Sequence, residues 1–350
     1  MAKKRSKKSR GMTMQPAITD LSFKANPATD SDPRFYVDTA RELSRANRRL
    51  YSQSRLYGYQ GLTFIWKNKA AAIAPDATAG EIAVANQAAL STLEVKVATA
   101  GNTWIVQNAY TKGHALWNEM QDLVLDDNPS VKGKWHDFKC QLVGSQSTVR
   151  TLSVLDGAGV PYTTSNSEWN ISTYVMPQHD VDTSVPGTGT PLPAVELTPL
   201  LIGEDTSTKR SLVKAYEESR ATVSKDQPNT PAALSGSFFS LLTDSGSQEP
   251  ELATVIADEN EDPPYDLNKY PGGAVNANVP SIVGYGAISS AEVDGRIGGF
   301  VAPCGLLEIS IRGFNSLGNE IASANMPEIE LLLHVAPGAY KGVAAIPMGQ

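Results

Sequence analysis

Catalysis or metal binding would need ligands, nucleophiles or paired acids and bases, and few residues in this chain could supply them. The four histidines, His114, His136, His179 and His334, form neither a His-x-His pair nor a His-Glu-x-x-His motif, so their spacing builds no zinc site. His136-Asp137 and His179-Asp180 are neighbours in sequence, but adjacent side chains on a strand point to opposite faces. The stretch Asp258-Glu259-Asn260-Glu261-Asp262-Pro263-Pro264-Tyr265-Asp266 places five carboxylates in nine residues. Hard cations favour oxygen-rich loops, yet this spacing departs from an EF-hand. A solvated loop is its first reading, with a subunit contact or a cation site as the others. No Gly-x-Ser-x-Gly elbow, Walker A loop or Gly-x-Gly-x-x-Gly turn occurs. Ser235-Gly236-Ser237 reads as a flexible turn, while Gly272-Gly273 and Gly298-Gly299 lack a strand–loop–helix frame. Cys140 and Cys304 have no ligand-like neighbours and read as buried, reduced thiols. These observations argue against an enzyme and imply no cofactor and no bound metal.

The remaining signal is electrostatic. Lys3, Lys4, Arg5, Lys7, Lys8 and Arg10 put six cations in the first ten residues, and Arg41, Arg45, Arg48, Arg49 and Arg55 extend the run. The net charge of −7 hides an asymmetry: residues 1–58 hold 13 Lys and Arg against 5 Asp and Glu, whereas the other 292 hold 17 against 32. An acidic body with a basic leader predicts a polyanion partner at one end only. A cationic tail without interleaved aromatics neutralises phosphates by counterion release and carries little base specificity. The same residues could serve as a nuclear-localisation signal, or merely solubilise the chain. Tyr51, Tyr57 and Tyr59 adjoin the arginines and could stack on bases, although core or strand positions are the commoner use of such residues.

The elements that must position these residues are mostly strands. At 350 residues, 41% hydrophobic and 19% charged, the chain is neither disordered nor fibrous. No apolar run approaches the ~18 residues of a membrane span, and no apolar stretch follows the basic start, which therefore reads as an arm and not as a secretory leader. Residues 1–34 are expected to be that flexible arm, and 35–350 a single domain. An amphipathic helix is predicted from Phe35 to Ser54, with others at Tyr110–Leu125, Arg210–Arg220 and Ala232–Leu242. Strands are predicted at Leu62–Trp66, Leu93–Thr99, Thr103–Ala109, Trp135–Val143, Thr151–Leu155, Trp169–Met176, Ala194–Ile202, Ile282–Ile288, Phe300–Gly313 and Glu328–Val335. Short strands, few helices and 50 Gly or Pro residues predict an all-β sandwich with two antiparallel sheets and long loops. The loops Gly157–Glu168, His179–Pro193, Thr243–Glu251 and Asp258–Asn278 are expected at the outer surface.

Several blocks carry a family resemblance. Leu43-Ser44-Arg45-Ala46-Asn47-Arg48-Arg49-Leu50-Tyr51 with Arg55-Leu56-Tyr57 resembles the N-terminal segment of smacovirus capsid proteins, from small circular single-stranded DNA viruses. Gly133-Lys134-Trp135-His136-Asp137-Phe138-Lys139 is similar to their Gly-x-Trp-x-Asp-Phe-Lys strand. Lys214-Ala215-Tyr216 with Ser219-Arg220-Ala221-Thr222-Val223 is similar to another block, as is the acidic stretch with Tyr270-Pro271-Gly272-Gly273. Gly299-Phe300-Val301-Ala302-Pro303-Cys304-Gly305-Leu306 and Pro337-Gly338-Ala339-Tyr340-Lys341-Gly342-Val343 complete the set, which covers residues 43–343 in order. The resemblance implies an eight-stranded viral jelly-roll coat protein, about 60 copies in a T=1 icosahedral shell, around a circular single-stranded DNA genome.

The leading expectation is therefore a structural, self-assembling capsid protein that packages DNA through its basic N-terminal region. Its partners would be its own copies and the genome, with no membrane; no motif identifies a host receptor. It would reside in the virion and, before assembly, inside the host cell, including the nucleus if the arm is an address. The alternatives are a coat protein of a small icosahedral RNA virus and a receptor- or carbohydrate-binding β-sandwich module. The module would leave the basic arm without a purpose.

Overall fold

The computed structural model describes residues 16–29, 33–66, 90–130, 137–143, 150–162, 169–176, 194–203, 208–221, 279–289 and 291–348. Two antiparallel sheets dominate. Sheet A contains β1 (Asp20–Ala25), β3 (Leu56–Trp66), β9 (Asp294–Ile297), β10 (Phe300–Ala302), β12 (Ile329–Val335) and β15 (Ala345–Ile346). Sheet B contains β2 (Arg34–Asp38), β4 (Thr92–Thr99), β8 (Ser281–Ser289) and β11 (Leu306–Phe314), in the order β2-β11-β4-β8. In sheet A, β12 lies between β1 and β3, and β9 and β10 follow one edge of β3 as a single interrupted strand.

Period-two alternation explains which faces meet. Leu21 and Phe23 of β1, Leu331 and Leu333 of β12, and Leu62 and Phe64 of β3 turn inward from sheet A. Phe35 and Val37 of β2, Val95 and Val97 of β4, and Ile309 and Ile311 of β11 meet them from sheet B. Each such side chain contributes about 1.5–3 kcal/mol by leaving water, and the product is an all-β sandwich. The sheets close where β8 crosses to β9, and glycine permits the approach. A Cβ at Gly286 would lie 2.9 Å from Phe64 Cε1, and one at Gly295 only 2.3 Å from Phe64 Cζ.

A second core covers the outer face of sheet B. Tyr36 and Leu306 point away from the sandwich and pack with α2 (Trp104–Asp127), α3 (Leu212–Ala221), Phe138, Cys140 and Tyr174. Beside them a small sheet joins β5 (Tyr174–Met176), β6 (Val195–Leu200) and β7 (Lys209–Ser211), with β6 and β7 parallel. A hairpin of β13 (Pro337–Gly338) and β14 (Gly342–Val343) follows β12.

Several expectations are corrected. The arm does not extend to residue 34, because Asp20–Ala25 is a strand whose register pairs Phe23 with Leu331. The helix expected over Phe35–Ser54 is α1 (Thr39–Asn47) alone. Asp38 caps it by accepting from Arg41 N, Arg48 ends it in the left-handed region, and Arg34–Asp38 is β2. Thr103–Ala109 is not a strand but the start of α2, whose Ile105, Val106, Ala109 and Tyr110 bury one helical face behind the Thr103 cap. In Phe300–Gly313 the strand breaks at Pro303-Cys304-Gly305, where Cys304 and Gly305 both have positive φ and the chain passes from sheet A to sheet B. Within Trp169–Met176 only Tyr174–Met176 is a strand, and residues 137–143 and 150–155 make only isolated bridges. The predicted helix Ala232–Leu242 and the loops His179–Pro193, Thr243–Glu251 and Asp258–Asn278 lie outside the described residues.

Candidate nucleic-acid interface

The arginine run starts on α1, and its members are put to different uses. Glu42 is fully buried and accepts Arg41 Nε at 2.5 Å, Arg45 Nη1 at 2.9 Å and the backbone N of Val154 at 2.7 Å. Arg41 also donates to the Leu152 carbonyl at 3.0 Å, and Arg45 to Ser153 Oγ at 3.2 Å. Burial pushes the Arg45 guanidinium below the usual arginine range, opposed by the Glu42 carboxylate. Arg41 and Arg45 thus join α1 to residues 152–154, and their charges are spent internally.

Arg48 and Arg49, beyond the helix end, are exposed. Arg49 Nη1 lies 3.5 Å from the Pro16 carbonyl, so the chain entering from the basic leader passes beside it. Arg55 is half-buried at the start of β3, its Nε 3.3 Å from Gln107 Oε1 of α2. Lys3, Lys4, Arg5, Lys7, Lys8 and Arg10 lie outside the described residues. Tyr51, Tyr57 and Tyr59 are core residues: the Tyr57 hydroxyl donates to the Ser52 carbonyl, and Tyr59 hydrogen-bonds Thr39 at 2.7 Å. None of the three offers a ring face to a base. A cation that the sequence reading overlooked, Lys341, belongs to this end as well: its ammonium donates to the Leu50 carbonyl. Nothing local could have revealed it, because the contact spans 291 positions.

The other chemistry-bearing residues are dispersed. His114 packs edge-on against Phe138 at 5.9 Å, and His334 bridges Asp20 at 2.8 Å and Thr63 at 3.0 Å. His136, His179 and Asp258–Asp266 lie outside the described residues. Cys140 and Cys304 are buried and free. Among the described residues, no group of three or more His, Cys, Asp or Glu converges on a metal position, and no helix is long and apolar enough to cross a membrane.

Comparison with protein-family models, curated proteins and solved structures found no match. At the end of the sandwich where residue 16 meets the body, the geometry offers the exposed Arg48 and Arg49, and the sequence adds six cations among residues 1–10, a combination suited to phosphate contacts that position a strand without reading its bases.

Proposed function

We propose that this chain is a structural coat protein: a jelly-roll subunit that assembles with copies of itself into a closed shell and packages single-stranded nucleic acid. The observation that carries the reading is the strand order. Sheet A places the last long strand, β12, between the first and the third, and sheet B places β11 between the second and the fourth. With β9–β10 beside β3 and β8 beside β4, this interleaving is the one that two nested Greek keys produce. Jelly rolls also serve as binding modules, so fold alone does not choose a function. The basic leader favours the shell, because six cations per copy on an acidic body suit an enclosed polyanion. Circular DNA, the copy number and residence in the virion are supplied by the resemblance to smacovirus capsid proteins.

The test is expression of the full chain followed by size exclusion, electron microscopy and the 260/280 nm absorbance ratio. Megadalton shells containing nucleic acid are expected. Replacing Lys3, Lys4, Arg5, Lys7, Lys8 and Arg10 by Ala should keep the shells and sharply lower their nucleic-acid content. A 37.4 kDa species that carries no nucleic acid under any assembly condition would overturn the reading.

A further inference from the structure

Among the described residues, three other than glycine have positive φ: Arg48 at 51°, Cys304 at 59° and Lys341 at 51°. Backbone outliers of this kind cluster at functional sites. Two of the three are cations, and both belong to the same end of the sandwich. Lys341 sits at the tip of the β13–β14 hairpin, where Tyr340 and Val343 exchange backbone hydrogen bonds of 3.0 and 2.9 Å. Its ammonium lies 5.8 Å from the centroid of Tyr51 and 5.1 Å from that of Tyr340, and it donates to the Leu50 carbonyl. Tyr51 Oη donates to the Lys341 carbonyl at 2.9 Å, and Ser52 N donates to Tyr340 Oη at 3.2 Å. The hairpin tip is thus fastened to the segment that directly follows Arg48 and Arg49. Arg49 acts on the same spot, since its charge opposes the upward shift that burial imposes on the Tyr51 hydroxyl.

Residues 43–57 and 336–348, the two segments that meet here, contain neither Asp nor Glu. The incoming chain adds its direction. Ile18 N donates to Asn47 Oδ1 at 2.6 Å, and Asn47 Nδ2 returns a bond to the Ile18 carbonyl at 3.0 Å. The leader therefore joins the body beside the three cations. The Lys341 ammonium is held in place before any ligand arrives, and two of its three donors remain after the bond to Leu50.

We propose that Arg48, Arg49 and Lys341 form a phosphate-binding patch on the body, which grips single-stranded nucleic acid independently of the basic leader. The identity of the polyanion rests on the coat-protein reading, whereas the patch itself rests on this geometry. The full chain is titrated with a fluorescently labelled oligothymidylate over a range of salt concentrations. Two of the substitutions are chosen to suit the left-handed backbone: Arg48→Gly and Lys341→Asn remove charge where glycine and asparagine are at ease, and Arg49→Ala completes the set.

Each phosphate contact to a single strand contributes roughly 0.7 to the slope of log K against log salt. The triple substitution should lower that slope by about 2, and R49A alone by about 0.7. The protein with its six leader cations replaced by Ala should retain weak, salt-sensitive binding, and adding the triple substitution should abolish it. The patch is overturned if R49A and the triple leave the slope unchanged, or if the leader-neutral protein does not bind. Electron microscopy of the same preparations separates the two readings. If no shells form but the slope falls, the coat-protein reading fails and the patch stands. If shells form and the slope does not move, the patch alone fails.

Discussion

Glu42→Gln should destabilise the body severely, and the geometry gives the size of the effect. The carboxylate is fully buried, while the side chains of its partners Arg41 and Arg45 are 17% and 14% exposed. Removing one member of a buried ion pair costs about 3–5 kcal/mol, because the surviving charge remains buried without compensation. The two guanidinium hydrogen bonds, at roughly 1.5–3 kcal/mol each, give a similar total. Residual solvation of the arginines places the expected loss near the lower bound, about 3 kcal/mol. At about 2–4 °C per kcal/mol for a domain of this order, the melting midpoint should fall by roughly 6–12 °C. Thermal melts followed by far-UV circular dichroism read this directly. Replacing Arg41 and Arg45 by Met in the Glu42→Gln background should recover part of the loss, since no buried charge is then left over. In the oligothymidylate titration, Arg41→Ala and Arg45→Ala should lower the midpoint and leave the salt slope untouched. A Glu42→Gln midpoint within about 2 °C of the parent, or slopes that fall by roughly 0.7 for each arginine, would refute the assignment of these charges to the fold.

Two further outcomes are expected. Gly295→Ala should cost about 1–3 kcal/mol by overpacking, because its Cβ would meet Phe64 Cζ at 2.3 Å and Ile288 Cγ2 at 2.6 Å; urea unfolding reads the loss, and Phe64→Leu in the same background should relieve part of it. Burial lowers the pKa of His114, with Asp137 opposing, so the unfolded chain takes up that proton first as pH falls below about 6.5. Stability should therefore drop between pH 7 and 5, and His114→Gln should flatten that decline in melts across the range; equal slopes in parent and variant would refute it.

Period-two strands that lie whole between turn residues were legible from sequence. Leu93–Thr99 and Glu328–Val335 each match a strand to within a residue at either end. Misreadings arose where a short apolar run satisfied both periods. Ile105 and Val106 are β-branched and strand-like in a seven-residue window, yet with Ala109, Tyr110, Gly113 and Leu116 they form one buried stripe of a helix that itself runs on to Asp127. Leu21, Phe23 and Ala25 alternate too, but they sit among polar residues, and the strand that covers them follows about 300 positions later. The candidate site was half legible for a related reason. Counting charges treats all arginines alike, whereas Leu152, Ser153 and Val154, which set Arg41 and Arg45 apart from Arg48 and Arg49, reach Glu42 and its partners only through the fold.

The pairing of β1 with β12 and of β2 with β11 fixes an order of events during synthesis. Asp20 meets His334 across 314 positions, so neither sheet can be completed until its late strand, β11 or β12, has left the ribosome. At about 5–20 residues per second, that wait lasts tens of seconds. The basic segment Lys3–Arg10 precedes every strand in the chain, whereas on the proposed coat-protein function the surfaces through which subunits would meet form only once β11 and β12 have been made. If the coat-protein proposal holds, assembly waits for β12, whereas charge pairing between the basic segment and a polyanion depends on neither sheet.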